Sequence, residues 1–283
     1  MIGQVKKAHT DTFFVVDEKG AQFKVLARGT LKKEGKIVVG DYVEFDQDRI
    51  VKVLDRKNRF IRPSVSNIDA VVIVVSPTPE PDFYLIDKLL LNALSQDLSV
   101  IIAVNKTDIS DDLYAKIQTE YAESKVKITK ISTVTGQGIE ELKQELVGKL
   151  TLLAGQSAVG KTSLINALFN LNLKTGEVSQ KINRGKHTTT YSEIYHFDKI
   201  KIIDSPGFCG IDANIQVEEL IYFYPQYFEL SSKCKFRGCT HITEPDCAVK
   251  QAVEKGELSQ ERYNRYKIIY NEIKERRDIY GKY

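Results

Sequence analysis

The chain has 283 residues, too many for one small compact domain and suited to two or three. It is 42% hydrophobic and 28% charged with a formal net charge of +3, so overall charge alone does not select a polyanionic partner and the distribution of charge has to be followed along the chain. No apolar run reaches membrane-spanning length, and the opening MIGQVKKAHT lacks the hydrophobic centre of a signal peptide, so a cytoplasmic, reducing location with no membrane partner is expected.

Residues 1–62 read as about five short strands. Thr12–Val16, Gln22–Ala27, Tyr42–Asp46 and Ile50–Leu54 are strand-like, with Gly20, Gly29, Gly35 and Gly40 as punctuation. That pattern suits a small barrel such as an OB-fold. The span carries fourteen Lys/Arg against nine Asp/Glu, and Arg49, Lys52, Arg56, Lys57, Arg59 and Arg62 crowd its end. The cluster reads equally as a nucleic-acid surface or as a solvated face with a linker.

From Ser66 the texture changes. Asp69–Ser76 and Val100–Val104 are apolar runs of the kind buried on both faces of a parallel sheet. Helical spacing marks Phe83–Ser95, Asp111–Glu123 and Gly138–Lys149, with a third strand at Val126–Ile131. Leu150–Ala154 follows, then a helix-like run Ser163–Phe169. Tyr191–Phe197 and Lys199–Ile203 look like a hairpin turned near Asp198. Strands alternating with helices predict an α/β domain with helices on both faces. Val217–Leu230 is rich in aromatics and predicts a helix followed by an irregular segment at Pro225. Glu257–Tyr280 predicts a charged helix whose stripe Tyr263, Tyr266, Ile269, Tyr270 and Ile273 packs into a core.

Between the Leu150–Ala154 strand and the next helix stands Gly155-Gln156-Ser157-Ala158-Val159-Gly160-Lys161-Thr162, closed by Ser163. This is the G-x-x-x-x-G-K-[ST] phosphate loop in its required strand-to-helix setting. Its backbone N–H groups converge on phosphate oxygens, Lys161 reaches the β- and γ-phosphates as a catalytic candidate, and Thr162 ligates Mg²⁺. Asn105-Lys106-Thr107-Asp108 ends another strand. A carboxylate at Asp108 accepts from guanine N1–H and the exocyclic amine and repels adenine, Asn105 braces the loop, and the Lys106 stem covers the ring. Ser132-Thr133-Val134-Thr135-Gly136 is placed to pack on the same base. Asp204-Ser205-Pro206-Gly207 follows a further strand, with Asp204 toward Mg²⁺ and the Gly207 N–H toward the γ-phosphate. Among Thr188, Thr189 and Thr190 one hydroxyl completes the Mg²⁺ shell, and Thr190 is the one assigned. These are the five motifs of a GTPase in permuted order, base loops first.

Phe208 occupies the position after the Asp204–Gly207 glycine where Ras-like enzymes keep a water-orienting glutamine. His187 is the nearest catalytic candidate; it is either that group or a solvated loop histidine. Cys234-x4-Cys239-x-His241-x5-Cys247 offers three thiolates and an imidazole, a closed donor set for one structural Zn²⁺, while Cys209 stands apart.

Taken together, the base loop preceding the phosphate loop, the basic N-terminal barrel and C-x4-C-x-H-x5-C resemble the ribosome small-subunit-dependent GTPase A family over essentially the whole chain. The resemblance implies three domains: an OB-fold over 1–62, a circularly permuted P-loop GTPase domain over 63–212, and a mostly helical zinc-finger domain over 213–283. It implies that GTP is hydrolysed to GDP, that the small ribosomal subunit and its rRNA are the partners, that the subunit stimulates hydrolysis during its late maturation, and that the protein is a monomer. Thr133 departs from the family, in which alanine is commoner in this loop. Two other classes stay open: an RNA-binding scaffold that binds GTP without turnover, which Phe208 in place of glutamine keeps alive, and an ATP-dependent nucleotide or RNA kinase, which Asn105 and Asp108 disfavour.

Overall fold

The computed structural model describes residues 1–27, 36–122, 124, 126–170, 192–197, 199–204 and 215–280. Five strands make the N-terminal barrel: β1 (Ile2–His9), β2 (Thr12–Asp17), β3 (Gln22–Ala27), β4 (Tyr42–Asp46) and β5 (Arg49–Val53). Alternating residues Val5, Phe13, Val15, Val25, Val43, Phe45 and Ile50 point inward and fill it. The order β1-β2-β3-β5-β4 closes through a second pairing of β4 with β1, and β3 meets β5 in parallel. This is the partly parallel five-strand barrel expected of an OB-fold. The strand left unnamed by turn signals is β1, whose Lys6 and Lys7 obscure its alternation.

A small hairpin, β6 (Arg59–Phe60) with β7 (Val65–Ser66), lies where the basic linker was expected. Its anchor is Asp41, whose fully buried carboxylate accepts from Ser66 Oγ at 2.6 Å, Val38 N at 2.9 Å and the Arg56 guanidinium at 2.6 and 2.7 Å. Arg56 is therefore a structural cation and not part of a free basic surface. Lys57 likewise pairs with Asp69 at 2.8 Å.

The central sheet carries β8 (Ala70–Val75), β9 (Ser99–Val104), β10 (Lys127–Lys130), β11 (Leu150–Ala154), β12 (Glu193–Phe197) and β13 (Ile200–Asp204). Five are parallel in the order β10-β9-β8-β11-β13, and β12 joins antiparallel to β13. Every residue of β8 is buried, as a strand covered on both faces must be. Its odd residues Val71, Ile73 and Val75 pack on helices α1 (Phe83–Leu94) and α2 (Asp112–Tyr121). Its even residues Val72 and Val74 pack on α3 (Ile139–Leu146) and α4 (Lys161–Phe169). The chain runs outward from β8 to β10, then crosses to β11 on the other side of β8. That reversal opens a crevice at the carboxyl ends of β8 and β11, the place where ligands bind in such sheets. The barrel continues the sheet, because β1 pairs with β12 at Lys7↔Glu193, sealed by an ion pair of 2.8 Å.

The C-terminal part holds a 3₁₀ helix (Val217–Phe223), α5 (Pro225–Ser231), α6 (Ala248–Glu254) and α7 (Gln260–Tyr280) around Leu220, Tyr227, Val249, Tyr266 and Ile269. The irregular segment expected at Pro225 is instead a helix: proline is the first residue of α5, where its missing N–H costs nothing and its φ is already helical. The stripe on α7 packs as expected, with Tyr263, Tyr266, Ile269 and Ile273 buried.

Candidate nucleotide site and metal cluster

The phosphate loop lies in the β8/β11 crevice. Gly155 (φ +133°) passes so close to β8 that a Cβ there would meet the Val74 carbonyl. Gly160 (φ +101°) leaves no room for a Cβ against the Asn105 amide. Both positions require glycine, for conformation and for space. Lys161 begins α4, and its Nζ donates to Gly155 O at 2.7 Å and Gln156 O at 2.6 Å, so the ammonium lies across its own loop. Burial pushes the Lys161 ammonium down, and the field of Asp204 partly restores it; burial in turn pushes the Asp204 carboxyl up against the opposing pull of Lys161. Two opposite charges thus lie desolvated at the carboxyl ends of β11 and β13, where a polyphosphate with its cation would add compensating charge. Thr162 and Ser163 are half-buried in the first turn of α4.

The base loops come to the same place although they precede the phosphate loop by about fifty and about twenty residues. Asn105 is fully buried; its Nδ2 donates to Val159 O at 2.9 Å and its Oδ1 accepts from Thr133 N at 3.3 Å. One side chain therefore ties three motifs together, which is the bracing role expected of it. The Lys106 Nζ donates to Ala158 O at 3.0 Å and Thr78 O at 2.5 Å. Thr107 holds Ile131 O at 3.0 Å, and Asp108 accepts from Ser132 Oγ at 2.5 Å. Ser132 Oγ also receives Val134 N and Thr135 N, so the Asp108 carboxylate is aimed by a hydroxyl that is itself fixed.

One supporting segment went unrecognised in the sequence. Ser76–Asp82 follows β8 and presents Thr78 O to Lys106, while Gln156 bridges Glu80 O at 3.1 Å and Asp82 N at 3.0 Å. Asp82 then caps α1 through Leu85 N at 2.9 Å. Prolines at 77, 79 and 81 stiffen this segment and were the available signal. His187, Thr190 and Gly207, together with Phe208 and Cys209, lie outside the described residues.

Away from this crevice, Cys234, Cys239, His241 and Cys247 present one ligand atom each, all within 4.8 Å of one another. His241 Nδ1 lies 3.3 Å from Cys247 Sγ and 3.7 Å from Cys234 Sγ, and the latter two sulfurs are 4.0 Å apart. The edge of a tetrahedral zinc–thiolate site is about 3.8 Å, so the donors fit a single ion. Burial and the neighbouring sulfurs push the Cys239 thiol up to about 12, and burial raises Cys247 as well; only a bound cation would hold them as thiolates. The turn between ligands is preset by Glu244. Burial opposes its charge, but donors at Thr240 and Ile242 hold its carboxyl down to about 2. Tyr263 and Tyr266 of α7 donate to His241 O at 2.7 Å and Thr240 O at 3.0 Å, fastening the cluster to the long helix.

The family model described as RsgA GTPase matches residues 53–214. The chain belongs to the RsgA GTPase family. It is 39% identical to the "Small ribosomal subunit biogenesis GTPase RsgA" of Agathobacter rectalis, with 98% of this chain and 99% of that protein covered. The protein of the same name from Thermotoga neapolitana is 40% identical, with 96% of each covered. Among solved structures, YjeQ from Thermotoga maritima superposes with a TM-score of 0.76 at 36% identity, covering 96% of this chain and 98% of that one. YloQ, described as a circularly permuted GTPase, gives 0.71 at 33%, covering 97% and 95%. Membership bears out the expected GTPase over a kinase, and the permuted strand order bears out the motif order. No helix among the described residues is long and apolar enough to cross a membrane.

Proposed function

We propose that this chain is a cytoplasmic, monomeric GTP hydrolase that docks on the small ribosomal subunit through its rRNA and acts late in the subunit's maturation. The observation that carries the reading is Asn105, whose two amide atoms join the base loop, the Ser132–Gly136 loop and the phosphate loop into one site. The division into 1–62, 63–212 and 213–283 is supported by the separate barrel and C-terminal cores.

In this reading the backbone of 155–160 with Lys161, Thr162 and Ser163 holds the phosphates, and Asn105, Lys106, Thr107, Asp108, Ser132 and Thr133 hold the guanine. Thr162, Thr190 and Asp204 would hold Mg²⁺, which supplies positive charge to the phosphate oxygens when bound. The Gly207 N–H would contact the γ-phosphate. Lys161 stabilises charge that builds on the transferring phosphoryl group. With Phe208 in the glutamine position, His187 is the group of this chain proposed to orient water when the subunit is bound.

For the cysteine cluster the ion proposed is zinc, held for structure, since four protein donors leave no open position. Metal analysis of protein purified without chelator should find one zinc per chain. A strong chelator should then loosen the C-terminal part, read as faster proteolysis there, with GTP affinity nearly unchanged. No zinc, or GTP affinity lost in step with zinc, would refute this assignment.

The functional reading is tested by phosphate release with His187→Ala in the presence of small subunits. Nucleotide affinity should be kept and the subunit-stimulated rate should fall by about a hundredfold, within the range a positioned acid–base or water-orienting group supplies. Equal stimulation would assign water orientation to rRNA or a backbone group. Equilibrium competition belongs beside it: ATP displacing bound GDP as well as GTP does would exclude the guanine site.

A further inference from the structure

Two adjoining cavities, of about 440 and 290 Å³, open between the barrel and the central sheet. Tyr42 of β4, His196 of β12 and Lys201 of β13 line both, so together they form one cleft across the junction. Asp69, Leu150 and Lys201 lie at the amino ends of β8, β11 and β13. The cleft is therefore at the end of the sheet away from the GTP crevice. Its larger cavity has the size of a small-molecule site.

The wall of this cleft carries basic groups that the fold sets in place and leaves without a counter-charge. His196 and Lys201 are direct cross-strand partners, so their side chains stand beside one another on one face. An acid opposite a base would stabilise that pair of positions; two basic groups do not. Lys201 is half-buried, and its Nζ donates to Gln4 Oε1 at 3.0 Å. Gln4 is buried and fixed in turn, its Nε2 donating to Gly40 O at 3.2 Å. A neutral amide thus orients the ammonium without cancelling its charge, and leaves it two further N–H donors. Lys199 lines the same cavity, and among the described residues neither it nor Lys201 has an ion-pair partner. Asp69, the one carboxylate of the larger cavity, is already taken by Lys57 Nζ and Leu150 N, each at 2.8 Å. The carboxylates of Asp17 and Glu18 line only the smaller cavity, where Lys6 lies with them.

We infer that the larger cavity binds a small phosphate monoester, its phosphate held by His196, Lys199 and Lys201 and its organic part lying along Tyr42. A monoester carries up to two charges on one phosphate, whereas each phosphate of a nucleic-acid backbone carries one. Three basic groups gathered in one cavity match the former. Burial and the nearby Asp69 push the Tyr42 phenol up, which keeps it a hydrogen-bond donor to such a ligand. The occupant would touch β4 of the barrel and the β12–β13 pair of the central sheet at once, and so fasten one to the other.

The test is calorimetric titration of the full-length protein, saturated with GDP, by inorganic phosphate and by adenosine 5′-monophosphate at fixed ionic strength. Each should bind saturably and compete with the other, and adenosine should not bind. Lys201→Met combined with His196→Gln should weaken both by roughly tenfold or more, since hydrogen bonds to a charged group are lost. Lys201→Met alone should show the same trend, and Lys201→Arg, which keeps the charge, should retain most of the affinity. GDP affinity and metal content, measured on each variant, establish that it is folded. Unchanged binding of the monophosphate in the double variant, or no saturable binding of either probe to the unmodified protein, would overturn the inference. Binding of the monophosphate that weakens in step with rising GDP would place it in the GTP crevice and overturn the inference too. An RNA oligonucleotide without terminal phosphates that binds as tightly, and loses as much in the double variant, would assign the cleft to a nucleic-acid backbone instead.

Discussion

Asp108→Asn should exchange guanine for xanthine selectivity. The carboxylate is aimed by Ser132 Oγ at 2.5 Å, and in the proposed site it accepts two hydrogen bonds from guanine. Hydrogen bonds to a charged group are worth about 1.5–3 kcal/mol each, so GTP affinity should fall by at least about a hundredfold. Xanthine carries an oxygen in place of the amine, which the new amide N–H₂ can meet, so XTP should bind the variant more tightly than GTP does. Ser132→Ala should show the same trend at smaller amplitude, roughly tenfold, because the carboxylate stays but loses its aim. Titration with both nucleotides decides it, and an Asp108→Asn variant that keeps its GTP affinity would mean the base is read elsewhere.

The second large effect is on stability. Arg265 of α7 reaches into the central domain and donates to Asp87 at 2.5 Å and to Glu120 at 2.5 Å. Both carboxylates are nearly buried, and Tyr121 donates to Asp87 at 2.6 Å. Arg262, one turn away, donates to Glu120 O and to Ser124 Oγ and stacks between Tyr121 and Tyr224. Removing one partner of a buried pair leaves the other charge uncompensated, which costs about 3–5 kcal/mol. Arg265→Ala should therefore lower the denaturation midpoint steeply and release α7 from α1 and α2. Arg265→Lys should recover only part of this, since one ammonium cannot match a planar fork bridging two carboxylates. A loss under about 1 kcal/mol would show that the helix is held by its apolar stripe alone.

These residues also mark where sequence reading stops. The phosphate loop, the Asn105–Asp108 loop and the cysteine–histidine spacing are local patterns whose chemistry is written in adjacent residues, and each was readable directly. Arg262 and Arg265 sit in a charged helix and look like a solvated face. Only the fold brings Asp87 and Glu120, more than a hundred residues earlier, against them. Arg56 misled in the same way, counted with a basic cluster until Asp41 was found beneath it. Pro225 was misread because proline both ends one helix and starts the next, and only the order of elements decides which. The Ser76–Asp82 support of the phosphate loop is marked only by its prolines, since it works through backbone carbonyls and one N–H.

In the proposed function the small subunit completes a catalytic site that this chain holds only in part. Lys161 and the braced loops are present without a partner, so GTP should bind without ribosomes, yet Phe208 supplies nothing to orient water. The direct measurement is multiple-turnover phosphate release from GTP with and without purified small ribosomal subunits, alongside GTP affinity under both conditions. Slow release by the protein alone, at least about tenfold faster release with subunits and little change in affinity is the expected result. Release that small subunits leave unchanged would rule out the subunit as the activator.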